Sequence, residues 1–571
     1  MNVIKGAKIL LESLYERGLD TVFGIPGGAN LAIYDELFSS NFLNILARQE
    51  ASAVHMADGY ARVARKPAVC LVTSGPGATN MVTGMATAYV DSSPVIGITG
   101  QVSTRAMGRD SFQESDAFDL MIPVTKFNFK VKSPEEIPIT VDKAYKVSMT
   151  GRFGPVSIDV PADVAMKDAT SRVSGKIPEL LYETNFEALS QALHALNSSQ
   201  RPVILVGGGA KWDDCGAEIM KFAEKMGSPV ITTVMGKGAV PEDHPLSMGT
   251  TGMFGRWSTQ QLMNETDLVI ALGTRFSDRT TSKTSDFLPS AKVIHVDIDG
   301  REIGKNVDGV IGLTGSCIEI VSLLNSHIQD YAGKRIQWTV RAASMKSFCK
   351  CDINYGDQPL KPQKLIYEMS RLLPDDVILT ADVGQHQMFA AHYFETRGRR
   401  NFITSGGLGT MGFGLPAAIG AKIAAPDRKV VSLVGDGGFQ MTFSEFSTAV
   451  ENNVPVFIIV MNNGSLGMVR QFQKQFYNHH IFSTDYEKGP NFAKFAEAMG
   501  GNGVVVEKAS EVADAIKAGL KSDVPFVADV RVDVMEDCLP MIPAGAGRSS
   551  VVFGKCKWGN ISNGEIANFG R

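Results

Sequence analysis

The sequence predicts an α/β protein built from three doubly wound parallel-sheet domains, and three observations carry that prediction. Short apolar, β-branched runs alternate with helical patterns along nearly all of the 571 residues, the order that yields parallel sheets with helices on both faces. Two composition shifts interrupt the alternation: Met166 to Asn185 is polar and irregular, and Gln329 to Pro362 collects charges, Cys349, Cys351, Pro359 and Pro362. The first and last blocks so defined share a coarse likeness. Ser74-Gly75-Pro76-Gly77 opens an Ala/Gly/Thr-rich helical stretch leading to a strand at Val95, and Ser405-Gly406-Gly407-Leu408-Gly409 opens another leading to a strand at Val430. The blocks are 1–165, 186–330 and 360–545, with a polar, glycine-rich tail at 546–571.

In chain order, Met1 to Asp20 spaces Ile4, Ala7, Ile9, Leu10, Leu11 and Leu14 among charges, which predicts an amphipathic helix rather than a secretory leader. Leu43 to Ala47 is strand-like and is followed by a helical pattern from Ala53 to Arg62. Ala68 to Thr73, Val95 to Thr99 and Val156 to Val160 complete the first block's strands. Pro202 to Val206, Val230 to Thr233, Leu268 to Leu272 and Lys292 to Asp297 supply the second, and Val377 to Ala381, Val430 to Val434 and Val456 to Met461 the third. All are short and bounded by Gly, Pro or Asp, as buried parallel strands are.

Composition removes several function classes. Hydrophobic residues at 44% and charged ones at 20% exclude a disordered or collagen-like chain. With 56 Lys and Arg against 60 Asp and Glu, nothing favours a nucleic acid or an anionic membrane as partner. The longest apolar run, Val454 to Met461, has eight residues, where a bilayer span needs about 20. Seven cysteines are sparse and odd in number, and Cys349 and Cys351 are too close for a zinc knuckle. Reduced structural thiols in a cytoplasmic protein are expected.

The sharpest chemical pattern is Gly435-Asp436-Gly437, with Gly438 behind it, followed 24 residues later by Asn462-Asn463. A carboxylate at the carboxyl end of a buried strand, with glycines that let backbone approach, is where an open α/β sheet holds a charged ligand. The neighbouring strand ends on an amide able to offer oxygen to the same point. Such oxygens suit Mg²⁺, which bridges to phosphates. Taken singly each piece is an ordinary turn; the spacing and the two strands together favour a metal–diphosphate site.

This spacing resembles the thiamin diphosphate signature. Far upstream, Glu50 in Arg48-Gln49-Glu50-Ala51 matches the glutamate with which that family hydrogen-bonds the aminopyrimidine N1′, favouring the imino tautomer whose nitrogen removes the thiazolium C2 proton. Within the family the likeness is to the catalytic large subunit of acetohydroxyacid (acetolactate) synthase. It covers about residues 1–545 through Phe23-Gly24-Ile25-Pro26-Gly27-Gly28, His55-Met56-Ala57-Asp58-Gly59-Tyr60, Thr73-Ser74-Gly75-Pro76-Gly77, Asp110-Ser111-Phe112-Gln113-Glu114, Asp382-Val383-Gly384-Gln385-His386 and Gly407-Leu408-Gly409-Thr410-Met411-Gly412. The resemblance implies that Gly384, Gln385 and His386 meet the diphosphate and that Gly409 and Met411 support the bent cofactor. It also implies that Gly467, Met468 and Val469 belong to its pocket and that Gln113 with the Gly27-Gly28 loop faces the reacting carbon. Asp436, Asn463 and the Ser465 carbonyl would hold Mg²⁺. Phe112, Val469, Phe472 and Arg275 would meet the 2-oxo acid substrates.

In the middle block Gly207-Gly208-Gly209, Gly273 to Arg279 (with Arg275, Asp278 and Arg279) and Asp297-Ile298 resemble the segments with which these synthases hold FAD in a structural role. The reaction implied is decarboxylation of pyruvate and transfer of its two-carbon unit to pyruvate or 2-oxobutanoate, as in branched-chain amino acid synthesis. Phe472 replaces a family tryptophan associated with choosing 2-oxobutanoate, which opens the acceptor preference; Ala162, Phe254 and Ser316 are further departures. A related decarboxylase or lyase, a flavin-dependent pyruvate oxidase and a non-enzymatic relative are the alternatives. Because Glu50 and Asp436 lie in different blocks, the resemblance implies a cofactor shared by two subunits, in a homodimer or homotetramer. Feedback control would need a separate regulatory chain.

Overall fold

The structure is a computed structural model that describes residues 3–170, 186–288, 290–348, 355–398, 401–547 and 550–552. Most of the first linker, Cys349, Cys351, Cys556 and the tail from 553 lie outside the described residues. Cys70, Cys215, Cys317 and Cys538 are buried free thiols. Among the described residues no helix is long and apolar enough to cross a membrane.

Three six-stranded parallel sheets form, one per block. The first runs Leu43–Leu46, Thr21–Gly24, Ala68–Val72, Val95–Gln101, Val156–Pro161, Phe127–Lys130 from edge to edge. The third runs Asn401–Thr404, Ile378–Ala381, Val430–Gly435, Phe457–Asn462, Phe526–Arg531, Asn502–Val506. Numbered by appearance in the sheet, both have the order 2-1-3-4-6-5, so the loose likeness of glycine loops is a shared topology. The middle sheet has the order 3-2-1-4-5-6 about Pro202–Val206 and Leu268–Leu272, which is the dinucleotide-binding arrangement. Edge strands such as Phe127–Lys130 and Asn502–Val506 were not legible beforehand, because half-exposed faces break their apolar runs. The first domain closes on itself where Val3–Lys5 pairs antiparallel with Asp168–Thr170. The segment after 330, polar in composition, contains helix Ile336–Phe348, whose Trp338, Ala342 and Met345 pack under the middle sheet.

The first and third sheets share one core. Val54, Met56, Ala57 and Met81 pack with Phe413, Ile419, Phe439 and Phe446 in a single buried cluster. Its centre is a helix pair, Glu50–Ala64 against Gly414–Ala424. Small residues let the backbones touch: a Cβ on Gly59 would lie 2.1 Å from the Ala417 carbonyl oxygen, and one on Gly420 would lie 1.8 Å from that of Met56. Residue 59 beside 417 and 56 beside 420 means that the helices run antiparallel. In an exposed helix Gly→Ala stabilises by about 1 kcal/mol. At position 420 the helices must instead separate, and overpacking costs about 1–3 kcal/mol. Gly420→Ala is therefore expected to lower the thermal midpoint; a raised midpoint would refute this account of the contact.

Buried charge ties the domains further. Arg62 donates to Asp58 at 2.6 and 2.9 Å, to Asp91 at 3.2 Å and to the Thr404 carbonyl at 2.9 Å. Asp91 in turn accepts from the Gly406 and Gly407 amides. Lys237 and Glu242 form a fully buried pair at 2.7 Å, and the Thr396 amide donates to Glu242 at 2.8 Å. Each charge is matched, as burial demands.

Candidate active site

The carboxyl ends of the third sheet collect the residues singled out for diphosphate and metal. Val430–Gly435 and Phe457–Asn462 are neighbours, with Gly435 opposite Met461, so Asp436 and Asn463 leave adjacent strands together. Asp436 begins helix Asp436–Thr442 and is 3% exposed. Its carboxylate accepts backbone N–H groups of Gly437, Gly464 and Ser465, yet burial dominates and pushes its pKa up to about 7. Asn463 Oδ1 accepts from the Ser465 amide at 3.1 Å, and the Ser465 hydroxyl is buried without a partner. One carboxylate, one amide oxygen and nearby carbonyls form a hard-oxygen set for Mg²⁺. Among the described residues no cluster of three or more His, Cys, Asp and Glu offers a metal site.

His386 lies against this set. Its ring sits between Gly384 and Gly435, where added Cβ atoms would approach it to 2.7 and 2.8 Å. Burial pushes its pKa down to about 3, and its Nε2 is buried without a partner. An orphaned buried nitrogen beside an unpaired buried carboxylate suits a diphosphate–metal ligand that would satisfy both. Gln385 is less free than the resemblance implies. It donates to Gln471 at 3.0 Å and to the Glu536 carbonyl at 2.7 Å, and accepts from Asn463 at 3.2 Å, so it braces Asn463. Gly467 permits this, since its Cβ would lie 2.4 Å from Asn463 Nδ2. Met411 approaches Gly437 at the same end of the sheet, while Gly409 takes a positive φ in the preceding turn. An added Cβ on Gly438 would press on Asp382.

Helix Gly467–Phe476 walls this end. Val469 is 45% exposed, Phe472 is half-buried beside Phe476, and Met468 instead packs against the core of the third sheet.

The fold gives Asp382, which opens the Asp382-Val383-Gly384-Gln385-His386 segment, a structural role. Fully buried, it accepts from the amides of Val383 at 2.7 Å and Gly412 at 2.9 Å and so fixes the loop bearing Met411. Burial raises its pKa to about 7 despite these donors. A folded value above the unfolded one gives a stability contribution that is full below the ordinary carboxylate range and lost as pH rises through about 7. The thermal midpoint of the cofactor-free protein should therefore fall relative to Asp382→Asn between about pH 5 and 7 and level off above. Parallel curves for the two proteins would refute this.

The first sheet gathers a second group at its own carboxyl ends. Glu50 opens helix Glu50–Ala64, capped by the Gln49 side chain, and accepts from Asn80 at 3.0 Å. Gly27 abuts Thr73, and an added Cβ on Gly75 would lie 2.6 Å from the Gln113 carbonyl. Gly28 has no atom within 4 Å of an added Cβ, and Phe112 is 88% exposed. Gly28 and Phe112 lie on an open face. His55 and Arg62, on the helix that Glu50 opens, both reach Phe413, at 5.4 and 5.3 Å.

Between the sheets a cleft opens at the switch point of the middle sheet. Gly208, Gly209, Gly273, Arg275, Arg279, Asp297 and Ile298 line it, joined by Arg152 and Trp212, which sequence reasoning had passed over. Burial raises Asp297 to about 6. Gly207 packs on the Gly273 carbonyl behind the lining. Asp278 is exposed and pairs with Arg279 at 3.8 Å instead of lining the cleft. The glycine wall and strand-end acid fit a dinucleotide.

Residues 4–120 match the family model described as thiamine pyrophosphate enzyme, N-terminal TPP binding domain. Residues 189–324 match the central domain of the same enzymes, and 382–530 the C-terminal TPP binding domain. The chain is 42% identical to the probable acetolactate synthase large subunit of Methanocaldococcus jannaschii, over 96% of this chain and 95% of the relative. It is 40% identical to acetolactate synthase of Arthrospira platensis, over 96% and 98%. To the acetolactate synthase isozyme 1 large subunit of Escherichia coli it is also 40% identical, over 96% and 97%.

Proposed function

This chain belongs to the acetolactate synthase family of thiamine pyrophosphate enzymes, and from that premise we propose that it decarboxylates pyruvate and joins the two-carbon unit to a second 2-oxo acid. With pyruvate as acceptor the product is 2-acetolactate. The observation that carries this is the juxtaposition of Asp436, Asn463 and Ser465 with the orphaned Nε2 of His386 at the carboxyl ends of the third sheet.

Bound thiamin diphosphate supplies the electron sink for departure of CO₂. The protein's part is placement. Asp436, Asn463 and Ser465 would hold Mg²⁺, His386 would meet the diphosphate, and Met411 would support the ring system. Glu50 of a second protomer would hold the N1′ proton, as the family resemblance implies, so the active unit would be at least a homodimer. Val469, Phe472 and Phe112 give an apolar wall that favours loss of charge on decarboxylation. Gln113 and the Gly27-Gly28 loop face the reacting carbon, and Arg275 receives a substrate carboxylate. The middle cleft takes FAD in a structural role, with Asp297 accepting from the ribose or adenine. Relatives named as large subunits support a separate small regulatory chain, and the protein is assigned to the cytoplasm.

The test is incubation of purified protein with pyruvate, thiamin diphosphate and Mg²⁺, with acetoin measured after acidification. Product from pyruvate supports the assignment; no product with pyruvate or with pyruvate plus 2-oxobutanoate overturns it. Phe472→Trp narrows the pocket and adds an indole donor, so the 2-oxobutanoate product fraction in a competition assay is expected to rise severalfold. An unchanged fraction would remove Phe472 from acceptor choice.

A further inference from the structure

Glu445 has no place in the site described above, although it is fully buried. It opens helix Glu445–Glu451 of the third domain, nine residues after Asp436. Its carboxylate reaches across to the first domain and accepts the Arg48 backbone N–H at 3.0 and 3.1 Å. It also accepts from the hydroxyls of Thr448, at 2.8 Å, and Ser52. The same helix reinforces the contact: the Thr448 hydroxyl, its proton on Glu445, lies 3.3 Å from the Leu46 carbonyl, and the Arg48 guanidinium meets Ser447 at 3.1 Å and pairs with Glu451. These contacts fall on residues 46, 48 and 52, on both sides of Glu50.

Two plainer roles explain less. Helix capping is already supplied by Gln49, which accepts from the Ser52 amide at 3.0 Å. Gluing the domains together is the work of the apolar helix pair, and a buried carboxylate is an expensive glue, since burial raises its pKa here. What a carboxylate adds is direction: its two oxygens grip a backbone N–H and a hydroxyl four residues apart.

We infer that Glu445 is a positioning residue, clamping the Arg48–Ser52 segment so that Glu50 projects toward the cofactor at a fixed angle. The inference rests on the assignment of Glu50 to the cofactor. It also gives one stretch of chain two duties. Asp436 grips the metal of one site, and nine residues on, Glu445 aims the glutamate that the same chain presents to another.

The test compares Glu445→Ala and Glu445→Gln with the unaltered protein in two readouts. In cofactor-free protein, amide hydrogen exchange across residues 46–52 is expected to accelerate about tenfold in Glu445→Ala, where a hydrogen bond to a charged group is lost. Exchange elsewhere should be unchanged. In protein loaded with thiamin diphosphate and Mg²⁺, exchange of the cofactor C2 proton should slow about tenfold with cofactor Kd held within about twofold. Glu445→Gln, which keeps a carbonyl acceptor, should fall between. Wild-type exchange at residues 46–52, or wild-type C2 exchange, in Glu445→Ala overturns the inference. If that variant does not fold, Glu445→Gln decides by the same two rates. Glu50→Gln runs in parallel: if it leaves C2 exchange unchanged, the cofactor assignment fails and the inference with it. If it slows exchange while the Glu445 variants do not, only the positioning role fails.

Discussion

Replacing Glu50 by glutamine is expected to reduce acetolactate formation by about 100- to 10,000-fold, the span covered by a well-placed acid–base group. The side chain is half-exposed at the start of its helix, and its hydrogen bond from Asn80 can be kept by the isosteric amide. Folding should therefore be untouched. What glutamine lacks is a negative charge to share a proton with the pyrimidine N1′, so the loss falls on C2 activation. The discriminating measurements are kcat at saturating cofactor, the C2 exchange rate and the thermal midpoint. A variant within about threefold of the parent in kcat, or one lost through unfolding, would contradict the role given to Glu50.

Asp436→Asn should be comparably severe by a different route, with a second effect of opposite sign. The carboxylate is buried against backbone amides without a cation in the protein, and burial holds its pKa near 7. Asparagine removes that unpaired charge, so the cofactor-free variant is expected to have a higher thermal midpoint near neutral pH. It also removes the anionic ligand from the Mg²⁺ set. Losing even an outer-shell partner costs about 10- to 100-fold in metal affinity, so a direct ligand should cost at least about 100-fold. After dialysis the variant should be inactive at Mg²⁺ levels that restore the parent. Calorimetry of cofactor binding with a thermal scan of the free protein reads both effects; unaltered retention of cofactor and metal would remove Asp436 from the site.

Legibility in the sequence followed burial only in part: the buried inner strands Thr21–Gly24 and Phe526–Arg531 were not legible, the first being only four residues long and the second carrying Asp529 in its middle. Central strands such as Leu268–Leu272 are enclosed on both faces and so appear as unbroken apolar runs. Edge strands are wet on one side and alternate too briefly to stand out. The adjacency of Asp436 and Asn463 was legible because strand ends and their turns are local: two neighbouring strands and a short loop each fix them. Asp382, Glu445 and the Arg62–Asp91 tie were not, because each acts on backbone far along the chain, with 30 residues from Asp382 to Gly412 and 397 from Glu445 to Arg48. A solitary acid in a sequence gives no sign of which amide it will accept. Neighbouring contacts of single side chains were equally out of reach: Met468 packs against the core of the third sheet and Asp278 pairs with Arg279.

The touching glycine helices have a consequence for how the enzyme responds to its own abundance. With the two domains of one polypeptide locked together by these helices, each centre as proposed draws Glu50 from one protomer and Asp436 from another, so an isolated molecule would have no working centre. Turnover per milligram should decline when the protein is diluted past its association constant and recover on reconcentration. Mixing a Glu50→Gln stock with an Asp436→Asn stock should regenerate centres in which both defects fall on the opposite half, restoring a share of the lost output from two individually silent preparations.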